Sequence, residues 1–431
     1  MLRKAAILGL LAAALAGTAL AQEGQVPKGI PHLDHVFVIM MENHGYNQVV
    51  NNPNEPFVNH YAKSANTATN YFAIAHPSLT NYLEVAGGSN FGVLNDNSPD
   101  WHNALCTTNL ASGITSLDNG AFPSICPIFG VGTDAATPAI DFSNETSGPP
   151  GDINIDGTHS FLANSHTIGK TIADQLAAAG LRWKSYQESL PPTGADGVNN
   201  ADGFFSNLSD LTAALPGEGQ TQSNLVALYA VKHNPFVYFR SVQEGQDPQN
   251  SLKNVADFEG SHGLFADLAS GHIPAFSFIS PNQCNDQHGR GNGGPACEFD
   301  PHNDGTQNGL NNGLIFRGDV TVQTIVQAIH KSKAWEDGRS AIVLLWDEDD
   351  YSVAPTTNQV LFVVDTNYGP HGVQSGKFYT HFSLLKSLEA GFELPCLNHA
   401  CDDSTLVMSD LFRGGDRARD HDRNDDRDGG R

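Results

Sequence analysis

Two nearly continuous apolar runs of strand length, residues 35–41 and 341–346, constrain the fold of this chain more than any other feature. A half-exposed strand alternates apolar with polar residues, so unbroken runs of Val, Ile, Leu, Phe and Met fit strands of a parallel sheet covered on both faces. Further strands are predicted at 181–186, 236–239, 273–279 and 360–364. Between them the period changes: Ile168, Ile172, Leu176 and Ala179 recur at helical spacing with Gly180 as a C-cap, and Val322, Ile325, Val326 and Ile329 line one side of a helix over 321–333. Shorter helices are predicted over 225–231, 264–269 and 381–391. This alternation gives an α/β fold with a mostly parallel central sheet and helices on both faces.

The runs end in chemistry. Residues 35–41 lead into Glu42-Asn43, residues 341–346 into Asp347-Glu348, and residues 273–279 into a loop with Asp286 and His288. A fourth stretch sets His76, Ser78 and Asn81 just before the apolar run 82–86. A Ser there can face free backbone N–H groups at the positive end of a helix, which favours a bound anion, although an N-cap serine looks the same. The carboxyl ends of parallel strands share one edge, so these oxygen and imidazole groups could converge on divalent ions beside a hydroxyl. Taken one at a time, the acidic turn and the Asp-x-His pair read equally well as solvated loops.

Residues 3–4 are basic, residues 5–16 apolar, and small residues precede Gln22, the layout of a signal peptide over 1–21 cleaved near Ala21. No later run is long enough for a membrane span, which predicts a secreted chain with no stable membrane insertion. Residues 22–413 read as one domain, about 90–165 within it as a loop-rich cap that buries Trp101, Phe122, Ile125, Ile128 and Phe129, and 414–431 as a disordered charged tail. The formal net charge of −24 argues against a nucleic-acid partner and suits a divalent cation. Six cysteines form three sequence-local pairs, Cys106 with Cys126, Cys284 with Cys297 and Cys396 with Cys401. Disulfides fit an exported chain; a thiolate metal site is the alternative, and no C-x-x-C supports it.

Residues 41–43, 76–82, 171–176, 183–188, 233–236, 281–288, 346–348 and 379–383, in that order, resemble the secreted phosphoesterase family of acid phosphatases and bacterial phospholipase C enzymes, a branch of the alkaline-phosphatase-like superfamily. The resemblance spans about residues 35–412. It implies that Ser78 is the phosphorylated nucleophile and that Glu42, Asp347 and Glu348 hold a metal beside it. It further implies that Asp286, His288 and His381 match a second metal site where two ions are used, giving one or two divalent ions in all. Asn43 and Asn81 would contact metal or phosphoryl oxygen, with His76 and His233 behind the metal or on the phosphate.

The chain departs from the phospholipase C pattern after Asn43, where His44-Gly45-Tyr46-Asn47 follows, and this favours the phosphatase-like members. The implied substrate is a phosphorylated small molecule or a phospholipid headgroup. A phosphomonoesterase is the leading reading; a phospholipase C-like phosphodiesterase and a non-catalytic binding protein on the same fold are the alternatives. A monoester brings up to two negative charges, yet no Arg stands in the matched stretches around Ser78, Asp286, Asp347 or His381, and the nearest is Arg290. Metal ions, Lys184, His76, His233 and His371 are the cations expected to compensate. Histidine charging then predicts an optimum at roughly pH 5 to 6.5.

Overall fold

A computed structural model describes residues 23–99, 125–136, 149, 151–156, 158–191, 198, 228–245, 247–291, 293–302, 304–350 and 357–413. The predicted signal peptide, most of the cap with Trp101, Cys106 and Phe122, and the charged tail lie outside those residues.

Among the described residues the main sheet has eight strands: β1 (His35–Met41), β2 (Asn66–Ala68), β3 (Trp183–Gln187), β4 (Val255–Ala256), β5 (Phe276–Ser280), β6 (Ser340–Trp346), β7 (Phe362–Thr366) and β8 (Gln374–Ser375). Their spatial order is β8-β2-β7-β6-β1-β5-β3-β4. β1 is central, parallel to both β5 and β6, and β5 is parallel to β3. Only β7 breaks the pattern, running antiparallel to β6 and β2. Residues Val36 to Met41 are wholly buried although alternate side chains point to opposite faces, so both faces of the sheet centre are covered.

The helices form two groups. On one side α1 (Pro56–Ser64), α4 (Leu264–Ser270) and α5 (Asn312–His330) pack together; the other group is α2 (Ser78–Gly87), α3 (Ile172–Ala178) and α6 (His381–Gly391). α5 begins nine residues before the predicted start, because the Asn311 side chain caps it by accepting from the Gly313 and Leu314 amides. Gly313 and Gly318 in its first turns hide that start from periodicity.

The strand predicted at 236–239 is instead a buried 3-10 turn, Pro235–Tyr238. Four apolar residues do not distinguish periods, and Pro235 supplies no ladder N–H. Of the helix predicted at 225–231, residues 225–227 lie outside the described residues, residues 228–230 are not helical, and Val231 opens a 3-10 turn, Val231–His233. Of the region read as a cap, Ile125 and Ile128 are buried with Leu79, Leu83, Phe91 and Val237, and Phe129 is half-buried. Disulfides join Cys284 to Cys297 and Cys396 to Cys401; Cys126 is also bonded in a disulfide, and its expected partner lies outside the described residues.

One buried ion pair ties the C-terminal segment to the fold. His399 is 1% exposed, with Nε2 2.7 Å from Asp134 Oδ2 and Nδ1 2.6 Å from Asp402 Oδ2. Burial opposes its charge, but the two carboxylates outweigh burial and raise it to about 9. Because the folded value lies above the unfolded one, the stability this provides is complete below about pH 6.5 and is lost as pH rises through about 9. Thermal melts from about pH 6.5 to 9.5 should therefore show a falling Tm. Asp134→Asn should flatten that slope, and an unchanged slope would contradict the assignment.

Candidate active site

The register of three parallel strands assembles the site. Beyond the ends of β1, β5 and β6 the backbone stays tied together, with the Glu42 amide donating to the Asp286 carbonyl at 2.8 Å and the Asp347 amide to the Met41 carbonyl at 3.0 Å. Glu42, Asp286, Asp347 and Glu348 therefore emerge at one edge, as the sequence predicted. Ser78 arrives differently. It is the first residue of α2, not the end of a sheet strand, and it follows a cis His76-Pro77 bond. Pro77 occupies the N-cap position and no side chain caps the helix, so the Ser78 hydroxyl has no capping duty. Asn81, one turn on, holds the preceding loop. Its Oδ1 accepts from the Ile74 and Ala75 amides, and its Nδ2 donates to the Ala75 carbonyl at 2.7 Å and to Glu348 Oε2 at 3.2 Å.

Ser78 Oγ lies 3.1 Å from Glu42 Oε2 and 3.2 Å from Glu348 Oε1. One oxygen from each of Glu42, Asp347 and Glu348 lies within 4.8 Å of the others, and all three residues are buried. Neither Asp347 oxygen has a hydrogen-bond donor among the described residues. Burial, then the charges of Glu42 and Glu348, push Asp347 well above the carboxylate range, and burial carries Glu348 up to about 7 against the pull of His76. An orphaned buried carboxyl between two like charges fits a site built for a cation with oxygen ligands. Asn43, beside Glu42, is half-buried.

Cations surround this trio. His233 places Nε2 3.0 Å from Glu42 Oε1 and Nδ1 3.2 Å from Asp286 Oδ2, and its ring stacks on Tyr82. Burial opposes the His233 charge, but Glu42 and Asp286 raise it to about 9. Burial likewise favours a neutral Glu42, and the His233 charge outweighs it, holding Glu42 well below the usual range. Asp286 stays near 6, raised by burial against His233. His76 Nδ1 is 2.9 Å from Glu348 Oε2, and Glu348 and Asp349 raise it well above its ordinary value despite burial.

Sequence reasoning missed Lys232, the residue before His233. Its Nζ donates to Ser78 Oγ at 3.2 Å and to Asp96 Oδ2 at 3.0 Å, and lies 3.3 Å from His288 Nε2. His288 Nδ1 faces the Gly289 carbonyl at 2.9 Å, so it carries the ring proton and Nε2 accepts from Lys232. Burial and the Lys232 charge keep His288 neutral, down to about 4.

The expected compensating cations are corrected accordingly. Lys184 pairs with Asp267 and donates to the His262 carbonyl, and half-exposed His371 faces Asp365 at 3.6 Å, so neither joins the site. His76 and His233 lie against the carboxylates, whose charges raise both above the ordinary histidine value despite burial.

His381 opens α6 and turns Nε2 to the Asp347 carbonyl at 2.7 Å, with Nδ1 2.8 Å from the Tyr71 hydroxyl. Both its nitrogens are engaged, and burial keeps it neutral, down to about 4. Asp286, His288 and His381 thus do not converge as a second ligand cluster among the described residues. The loop bearing Asp286 and His288 is closed by the Cys284–Cys297 disulfide and pegged by Gln287. Gln287 donates to Glu55 Oε1 at 2.6 Å and to the Ile315 carbonyl at 3.0 Å, and accepts from Trp346 Nε1 at 2.9 Å.

The fold and site define an α/β protein with a serine at a helix start, flanked by acids fitted for a cation. The family model for the phosphoesterase family matches residues 48–296, more than half of the chain, and the chain belongs to that family. It is 25% identical over 362 residues to an acid phosphatase of Aspergillus fumigatus, covering 84% of this chain and 55% of the relative. The chain thus spans about half the length of that fungal relative. A phosphatidylinositol-3-phosphatase of Mycobacterium tuberculosis is 22% identical over 406 residues, covering 92% of this chain and 91% of that one. Among solved structures, a protein of the alkaline phosphatase superfamily from Vibrio parahaemolyticus aligns over 89% of this chain and 72% of its own, at 10% identity and a TM-score of 0.43.

The carboxylate trio predicts opposite responses with and without metal. With a chelator present, Asp347→Asn should stabilise the protein by about 0.5–3 kcal/mol, because a buried carboxyl that is costly to ionise beside Glu42 and Glu348 is gone. In excess Mg²⁺ or Mn²⁺ the wild type should be the more stable of the two. Denaturant melts under both conditions decide it, and destabilisation by Asp347→Asn in both would contradict a cation-fitted cluster.

Proposed function

We propose that the chain is a metal-dependent phosphoesterase, acting on monoesters through a phosphoserine at Ser78. The observation that carries this reading is the uncapped Ser78 hydroxyl, which contacts Glu42, Glu348 and Lys232 at once. A divalent ion held by Glu42, Asp347 and Glu348 would supply the positive charge that lowers the Ser78 pKa and polarises the phosphoryl group. The Ser78 proton passes to one of the two carboxylates it faces, and Oγ attacks phosphorus as the ester P–O bond breaks; the departing oxygen takes a proton from solvent and leaves as the alcohol. Water then attacks the phosphoserine, releasing inorganic phosphate and restoring the hydroxyl. Lys232 holds a non-titrating charge beside the reacting oxygens, and Asn81 fixes the loop that presents Ser78.

One ion accounts for the cluster, since His233 and Lys232 already occupy Asp286 and His288. The phosphatase name of relatives supports a monoester substrate, and the charge balance favours its singly charged form. The nearby carboxylates Glu42, Asp96, Asp286, Asp347, Glu348 and Asp349 outnumber the cations Lys232, His76 and His233, and one divalent ion only reduces that excess. Such a site takes a singly charged phosphate ester more readily than a dianion, and a monoester gains its second charge near pH 6. An acid optimum follows from substrate protonation. Secretion remains part of this reading, supported by the basic-then-apolar residues 3–16 and by the disulfides. No helix among the described residues is long and apolar enough to cross a membrane.

Ser78→Ala should keep its Tm and lose at least ~10³-fold of kcat on nitrophenyl phosphate, as expected when a covalent nucleophile is removed. Near-normal turnover would sink the assignment. Comparing kcat/KM for nitrophenyl and bis-nitrophenyl phosphate across pH tests the ester class: monoester preference with a maximum at roughly pH 5 to 6.5 is expected. Diester preference would support the phospholipase C-like alternative.

A further inference from the structure

Two donors beside Ser78 converge on an anion that belongs to the protein itself. The backbone N–H of Leu79, in the first turn of the ten-residue helix α2, donates to Asp96 Oδ1 at 3.0 Å. Lys232 Nζ donates to the other oxygen, Asp96 Oδ2, at 3.0 Å, while also donating to Ser78 Oγ at 3.2 Å. An amide at a helix start together with an ammonium, both next to a nucleophilic hydroxyl, is the donor set a phosphoryl group would take. Here a carboxylate spans it. The Asp96 side chain is 32% exposed and that of Lys232 15%, so the carboxylate borders solvent while the ammonium is largely enclosed. The flanking backbone is fixed: Thr80 Oγ1 donates to the Val93 carbonyl at 3.2 Å, and the Tyr238 hydroxyl to the Asn97 carbonyl at 3.0 Å.

We propose that Asp96 is a specificity-determining residue, a built-in anion that competes with the substrate's phosphoryl oxygens for the Leu79 amide and the Lys232 ammonium and so disfavours dianionic esters. The inference rests on the reading of Ser78 as the phosphoryl acceptor. Its electrostatic consequence has a definite sign. While Asp96 pairs with Lys232, the ammonium charge is largely cancelled for an incoming ligand, and a dianion meets roughly twice the repulsion that a monoanion meets. Substrate binding displaces the carboxylate toward solvent and frees both donors.

Asp96→Asn keeps the size and the carbonyl oxygen that accepts from Leu79, but removes the charge. Titration calorimetry on the purified metal-loaded protein, with inorganic phosphate at mildly alkaline pH, should show binding tighter by on the order of tenfold. The kcat/KM ratio of nitrophenyl to bis-nitrophenyl phosphate should rise by about the same factor, mainly through KM. Asp96→Ser, which lacks the charge and frees the amide, gives the same reading should the Asn variant not fold. If Asp96 merely holds Lys232 in place, both variants bind phosphate more weakly or unchanged, and the proposal is overturned. A wild type inert toward every phosphate ester would overturn the phosphoesterase reading instead, and the calorimetric comparison would still decide for or against Asp96.

Discussion

Like charge held close in a dry place is the constraint on which the rest of this site depends. Glu42, Asp347 and Glu348 are brought together by the parallel register of β1 and β6, and the backbone beyond both strands stays hydrogen-bonded. An isolated buried carboxylate would simply take up a proton. Here the surroundings resist that for Glu42, through the paired charge of His233, while burial and the neighbouring acids push Asp347 toward its protonated form. A cation with oxygen ligands would relieve that crowding.

Much of the surrounding architecture manages the same charge. His76 balances Glu348, His233 bridges Glu42 and Asp286, and Lys232 reaches the Ser78 hydroxyl from the outer side. Neutral groups are placed where a further charge would be harmful. His381 braces the Asp347 backbone through its carbonyl, and Tyr71 fixes its tautomer by donating to Nδ1. Trp346, immediately before Asp347, is joined through Gln287 to the loop that carries Asp286 and His288. Gln287 holds a left-handed φ of 82°, a conformation costly for a residue with a side chain, and its three hydrogen bonds hold it there.

The sheet was legible in the sequence because a strand buried on both faces has nowhere to place a polar residue, and runs such as 35–41 and 341–346 have few other uses. The ends of those runs located Glu42 and Asp347-Glu348 for the same reason. Two neighbouring pairs of cysteines, 284 with 297 and 396 with 401, were also correctly matched. Residues recruited from loops were harder. Lys232 adjoins His233, which the sequence did single out, so a signal was present, but nothing local says that a lysine turns toward a serine 154 positions away. Lys184 sits in an equally suggestive stretch and turns to Asp267 instead. Asp96 left no trace, being one acid in a polar loop whose partners are a backbone amide and a distant lysine. Position along a strand is a local property; the direction of a long side chain is decided by contacts that sequence order does not record.

The central claim is that Ser78, uncapped and set among buried acids, accepts the phosphoryl group. Mixing the wild-type protein with nitrophenyl phosphate, quenching in acid within one turnover and mapping the peptides by mass spectrometry tests it most directly. The account predicts a phosphate on the peptide containing Ser78, appearing with the first burst of nitrophenol and disappearing as substrate runs out. Turnover with no phosphopeptide at any quench time, or with phosphate on a different residue, would contradict it.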